Sequence, residues 1–221
     1  MNKLSFLFAF LFAFIMFSCN KEDYKSPVDI NNSVLDTSLT ALFDDYRPTD
    51  CKITNKETYL MIEASDNFLV IPKNDDFLGE EVELRGILIK SLSEHTVKGE
   101  HYPLELQFFH TDTNQNIVIA SVFVKAGEEN SEFDKIIKNI PDVNDTKNIS
   151  NLDLYSLFPE SIEYWYYIGT TTNTPVKKCR WFIMKNTIEV SKSQIKAIQD
   201  IIGKNIVETV GLEDRKIYEN Q

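Results

Sequence analysis

A catalytic zinc centre takes three protein ligands, histidine nitrogen foremost among them, and leaves a fourth position for water. The chain of 221 residues holds three histidines, His95, His101 and His110. Two rings reach one face of a strand when they are spaced H-x-H, because alternate side chains point the same way. No pair here has that spacing, and three histidines so scattered make a poor metal centre. Glu94, Glu105 and Lys90 offer a different chemistry, acid/base hydrolysis, although paired carboxylates more often serve the fold.

The three cysteines, Cys19, Cys51 and Cys179, divide into two kinds. Cys19 follows Met1-Asn2-Lys3, an apolar run from Leu4 to Phe17, and the small residue Ser18. That pattern reads as a secretory signal, and the run is too short to span a bilayer. Ile15-Met16-Phe17-Ser18-Cys19 resembles the lipobox of bacterial lipoproteins, so Cys19 is expected to carry lipid and become the new N-terminus. Asn20-Lys21-Glu22-Asp23 resembles the charged tag that takes such proteins to the outer face of the outer membrane. The expected organisation is a signal over 1–18, a lipidated tether over 19–25 and one domain over 26–221, lipid-anchored to the outer membrane and exposed on the surface. Outside the cytoplasm disulfides persist, and the sequence is compatible both with a Cys51–Cys179 bridge and with two buried thiols.

The elements that must position these residues are mostly strands. Ile53 to Ile62, Phe68 to Ile71, Val82 to Leu92, Leu104 to His110, Ile117 to Val124, Tyr164 to Ile168 and Arg180 to Met184 are β-branched or aromatic stretches bounded by Asn, Asp, Gly and Pro. Two helices are expected on the sheet. One starts at Ser131, carries Phe133, Ile136, Ile137 and Ile140 on one face and stops at Pro141; the other follows the capping box Ser191-Lys192-Ser193-Gln194 and runs through Ile195, Ile198, Ile201 and Ile202 to Gly203. Asp142 to Asn151, rich in Asn and Asp, reads as a surface loop. There is no internal repeat.

Several phrases in order carry a family resemblance. Lys25-Ser26-Pro27-Val28-Asp29-Ile30, Ser93-Glu94-His95-Thr96-Val97, Tyr102-Pro103-Leu104-Glu105-Leu106-Gln107-Phe108-Phe109-His110, Val118 to Gly127, Leu157 to Ser161, Tyr164-Trp165, Tyr167 to Thr172 and Trp181-Phe182-Ile183 resemble the motifs of the α-carbonic anhydrases. The resemblance implies a mainly β (α+β) fold with a large, twisted, mostly antiparallel central sheet of about ten strands, short peripheral helices and a conical pocket on one face. It also implies a zinc enzyme hydrating carbon dioxide, whose metal lowers the pKa of bound water to about 7.

Carried over residue by residue, the three zinc-ligand positions of that family fall on Leu88, Lys90 and Gln107. Leucine has no lone pair, an ammonium repels a dication, and a carboxamide oxygen is a weak zinc ligand. The proton-relay position falls near Thr58. Glu94, Glu105 and Thr172 match the groups that orient a ligand and the zinc-bound hydroxide, and Phe109 and Trp181 match pocket positions. His95 and His110 match structural positions; His101 falls in the turn before Tyr102-Pro103, with a solvated side chain. The sequence departs from the family at Asn173-Thr174-Pro175. Lys90 is expected to point into the cone beside Glu105, either pairing with it or snorkelling toward solvent.

The net charge of -11, spread along the chain, argues against nucleic acid and other polyanions as partners. The expected function is a non-catalytic carbonic-anhydrase-like recognition domain on an exported lipoprotein, with no cofactor, no metal and no enzyme activity. Its partners are then the membrane, through the lipid, and a protein, a neutral glycan or a small molecule. The alternative is zinc-dependent carbon dioxide hydration at an atypical site.

Overall fold

A computed structural model describes residues 24–73, 79–160, 163–173 and 175–221. The expected signal and Cys19, the expected lipid carrier, lie outside the described residues, as do Ser161 and Thr174.

β-Branched and aromatic residues fill the strands, and the strands form one large mixed, twisted sheet. Across it run Thr146–Asp153, Pro48–Asn55, Leu60–Glu63, Glu80–Lys90, Leu104–Thr111, Ile117–Ala126, Lys178–Met184, Tyr164–Thr170, Tyr218–Glu219 and Val34–Leu35. Phe43–Asp45, Phe68–Ile71 and Ile188–Val190 pair to one side of this path and bring the sheet to 13 strands. Most ladders are antiparallel. Ile117–Ala126 runs parallel to both Lys178–Met184 and Ile188–Val190, and Tyr218–Glu219 runs parallel to Val34–Leu35. A second, small sheet joins Asp29–Ile30, Thr96–Val97 and Glu100–His101.

Each face of the main sheet carries its own core. One is large and includes Ile53, Ile62, Ile87, Leu106, Phe108 and Phe182, covered by the helices Ser131–Lys138 and Lys192–Ile202 through Phe133, Ile136, Ile195 and Ile198. The other is smaller and aromatic, with Phe123, Tyr167 and Trp181 packed on Val28, Ile30 and Ile119. Alternation along a strand sends successive side chains to opposite cores, and one irregularity changes the parity. Phe109 faces Gly86 but His110 faces Leu84, so Arg85 is an extra residue in the Glu80–Lys90 strand. Val82 and Leu84 therefore share the large core with Ile87 and Ile89, while Leu88 and Lys90 face the other way.

The capping box at Ser191 is present as read, with Gly203 ending its helix at φ 76°. The first helix starts at Ser131 as expected, capped by the Asn130 side chain, and ends at Lys138, ahead of Pro141. Two expectations need larger correction. Asp142 to Asn151 is not all loop, because Thr146–Asp153 pairs with Pro48–Asn55 as an edge strand. Its outward residues are polar, which protects an edge from pairing with other chains, and only Ile149 and Leu152 are buried in the core. Ile53 to Ile62 is two antiparallel strands joined by a turn through Lys56, Glu57 and Thr58, with Glu57 at φ 69°. The Cys51–Cys179 bridge is likewise corrected. Both thiols are free and buried, and their strands stand five places apart in the sheet, at about 4.8 Å per place, far beyond disulfide reach.

Candidate functional site

The antiparallel register between Glu80–Lys90 and Leu104–Thr111 sets Lys90 opposite Glu105 and Leu88 opposite Gln107. Ser121 on the next strand lies opposite Gln107. Past Lys90 the chain turns back and returns Glu94 and His95 to the same side. Leu88, Lys90, Glu94, Glu105 and Gln107 are all buried there.

A continuous polar network links them. Lys90 Nζ lies 2.9 Å from Glu94 Oε1 and 4.5 Å from the Tyr59 ring centre. The Thr172 hydroxyl donates to Glu94 Oε2, which also accepts from Gln107 Nε2 at 2.8 Å. Gln107 Nε2 reaches Glu105 Oε1 at 3.2 Å, and Ser121 Oγ donates to the same oxygen at 2.7 Å. Glu105 Oε2 accepts the backbone N–H groups of Glu94 and His95 at 2.7 and 3.0 Å. His95 Nδ1 stands 2.9 Å from Glu105 Oε1, and its Nε2 stands 2.7 Å from the Tyr167 hydroxyl. Tyr167 in turn donates to Ser26 Oγ at 2.8 Å.

The electrostatics follow from this wiring. Burial alone would raise Glu105, but the neighbouring His95 and the hydrogen bonds from Ser121 and the His95 backbone outweigh it and bring its pKa down to about 2. Glu105 is therefore an ionised, fully bonded carboxylate. Burial drives Tyr167 well above the ordinary phenol value, so its hydroxyl keeps its proton. Gln107 Oε1 is buried with no hydrogen-bond partner.

Lys90 takes neither of the two courses expected of it. Its side chain is buried, not snorkelling, and its partner is Glu94. The reason is that both oxygens of Glu105 are already occupied by Ser121, His95 and two backbone groups, whereas Glu94 still has Oε1 to offer. Trp181 differs too. It is fully buried, donates from Nε1 to the Thr170 carbonyl at 3.0 Å and packs edge-on to His95 at 4.5 Å, so it supports the network from beneath. Phe109 is half-buried beside the aromatic core, and Thr58 is exposed in its turn.

His95 and His110 are buried as expected, with His110 Nε2 2.8 Å from the Tyr46 hydroxyl. His101 is not a solvated turn residue. It ends a short strand and donates from Nδ1 to the Ser93 carbonyl at 2.6 Å. Ser26, Tyr59, Ser121 and Tyr167 belong to the network without having been assigned a site role from sequence; Ser26, Ser121 and Tyr167 lie within the motifs that carry the resemblance, and Tyr59 carried no signal.

The comparisons with known proteins agree with this architecture. The chain matches the family model of the eukaryotic-type carbonic anhydrases over residues 15–220. Alpha carbonic anhydrase 7 of Arabidopsis thaliana is 26% identical over 188 residues, covering 82% of this chain and 67% of that one. The solved α-carbonic anhydrase of Photobacterium profundum superposes with a TM-score of 0.81 at 26% identity, over 90% of this chain and 91% of its own. That of Thermovibrio ammonificans, solved in complex with the inhibitor sulfanilamide, gives 0.81 at 28% identity, over 90% and 88%. The chain belongs to the eukaryotic-type carbonic anhydrase family.

Membership corrects the expectation of no cofactor: the comparisons point to zinc as the group for which this family's pocket is built. Whether the side chains of this network fit zinc is a question of donor chemistry. At the three positions that the resemblance assigns to ligands, Leu88 offers no lone pair, Lys90 an ammonium already paired with Glu94, and Gln107 an amide whose nitrogen donates to two carboxylates. That set does not fit the ion, and no reaction step is routed through a metal.

Proposed function

We propose that this carbonic-anhydrase-family domain works by recognition, held outside the cytoplasm by a lipid on Cys19, the first residue of a tether over 19–25 that follows a signal over 1–18. The observation that carries the reading is the Lys90–Glu94 pair, a buried ammonium and carboxylate 2.9 Å apart where the resemblance places a zinc ligand. A hydrating centre would place a neutral imidazole there. Beside the pair lie the apolar Leu88 and the buried Gln107 oxygen, which has no hydrogen-bond partner. The net charge of -11 favours a protein, a neutral glycan or a small molecule over nucleic acid.

A second reading is zinc-dependent hydration of carbon dioxide. It is supported by the match over residues 15–220, by relatives that are carbonic anhydrases, and by the surviving hydrogen bond from Thr172 to Glu94. The comparisons weigh toward this reading, the side chains of the cone floor toward the first. Carbon dioxide hydration by the purified protein supplied with zinc, with metal content measured on the same sample, separates them. Recognition predicts the rate of buffer alone whatever zinc the sample carries; turnover that rises with bound zinc establishes the second.

A further inference from the structure

Away from the cone, a groove of about 490 Å³ opens on the opposite face of the sheet. Tyr166, Ile168 and Tyr218 lie along its floor, since Tyr166 pairs in register with Tyr218 and Ile168 follows two residues later on the same face. One wall is Tyr24, whose ring sits 4.2 Å from Lys178 Nζ. The other is the turn carrying Asp214 and Lys216. This wall is fixed, because the Arg215 guanidinium donates to the carbonyls of Gly211, Leu212 and Ile168 at 3.2 to 3.3 Å.

We propose that this groove binds a neutral saccharide of one or two rings. Its volume lies in the range of roughly 300–1,000 Å³ typical of small-molecule sites. Tyr24 and Tyr218, both half-buried, offer apolar ring surface to the C–H face of a sugar together with polar hydroxyls, and Tyr166 is buried beneath them. Asp214 and Lys216 are exposed at the rim, an acceptor and a donor set for ring hydroxyls. Arg180 is clamped by Glu80 at 2.6 and 3.3 Å, Arg215 is engaged by three backbone carbonyls, and the charges left exposed at the rim are one carboxylate, Asp214, and one ammonium, Lys216. A polyanion would meet the net charge of -11, and a purely apolar ligand would leave the charged rim without hydrogen bonds. The groove is separate from the Lys90–Glu94 network, so the inference stands whichever reading of the cone holds.

Titration calorimetry of the purified protein with maltose, cellobiose and lactose, and with 4-hydroxybenzoate as an anionic aromatic control, tests it. At least one disaccharide is expected to bind, and Asp214→Ala and Tyr24→Ala each to weaken it about tenfold with an unchanged melting temperature, since both residues are peripheral. Binding of none of the three sugars, binding of 4-hydroxybenzoate in their place, or sugar affinity unchanged by both substitutions would overturn the proposal.

Discussion

Lys90 is the residue on which the account of the cone turns. A buried carboxylate without a counter-charge is costly, and Glu94 has Lys90 as its cation. Lys90→Met is therefore expected to destabilise the fold by about 3 kcal/mol, at the lower end of the cost of breaking a buried pair because Thr172 and Gln107 still donate to Glu94. Adding Glu94→Gln removes the stranded charge and should recover most of the loss. Denaturant unfolding of both variants checks this, and a Lys90→Met protein as stable as its parent would remove the pair from the account. A second prediction concerns acid. Burial holds His110 neutral, with its pKa lowered from 6.5 to about 3. Its contribution is whole above pH 6.5 and is lost as pH falls through about 3, because the unfolded chain binds that proton first. Glu105 acts in the same direction lower down, its share present above about 4.5 and lost as pH falls through about 2. Stability measured against pH should therefore fall steadily below 6.5, and His110→Phe should flatten the part of the curve between 6.5 and 3.

At the scale of the element, the Arg85–Gly86 irregularity decides which residues meet. It turns Leu88 and Lys90 toward Gln107 and Glu105 while leaving Val82 and Leu84 in the large core. A Cβ at Gly86 would stand 2.6 Å from the Ile62 carbonyl oxygen, a backbone atom that can give way only by moving a strand. Gly86→Ala is expected to cost about 1–3 kcal/mol, a fall of several degrees in melting temperature for a domain of this size; an unchanged melting temperature would show that the register tolerates a side chain there. Elements were legible in the sequence where the signal is local. Phe68–Ile71 and the Ser191 capping box stand where alternation and capping chemistry put them. The edge strand Thr146–Asp153 was not legible, because its polar, Asn-rich sequence is what a protected edge and a loop have in common. The partner of Lys90 was hidden for another reason: register sets it opposite Glu105, and only the full count of donors around Glu105 turns it to Glu94.

For the whole molecule, the ordered motifs from Ser26 onward were enough to read the family and the large twisted sheet, and the comparisons agree with both. The rest of the architecture depends on contacts distant in sequence. Ser26 reaches Tyr167 and Thr170, and the C-terminal Tyr218–Glu219 closes the sheet against Tyr164–Thr170. Positions 88 and 90 alternate on one strand and 107 lies across from 88, so the register brings these three side chains together. The recognition reading proposed above depends on Leu88, Lys90 and Gln107 standing where the resemblance places the zinc ligands. The direct measurement is zinc-dependent carbon dioxide hydration by the protein and by its Leu88→His/Lys90→His/Gln107→His variant side by side. The account predicts the rate of buffer for the protein and turnover above it for the variant. Zinc-dependent turnover by the unaltered protein would contradict the account.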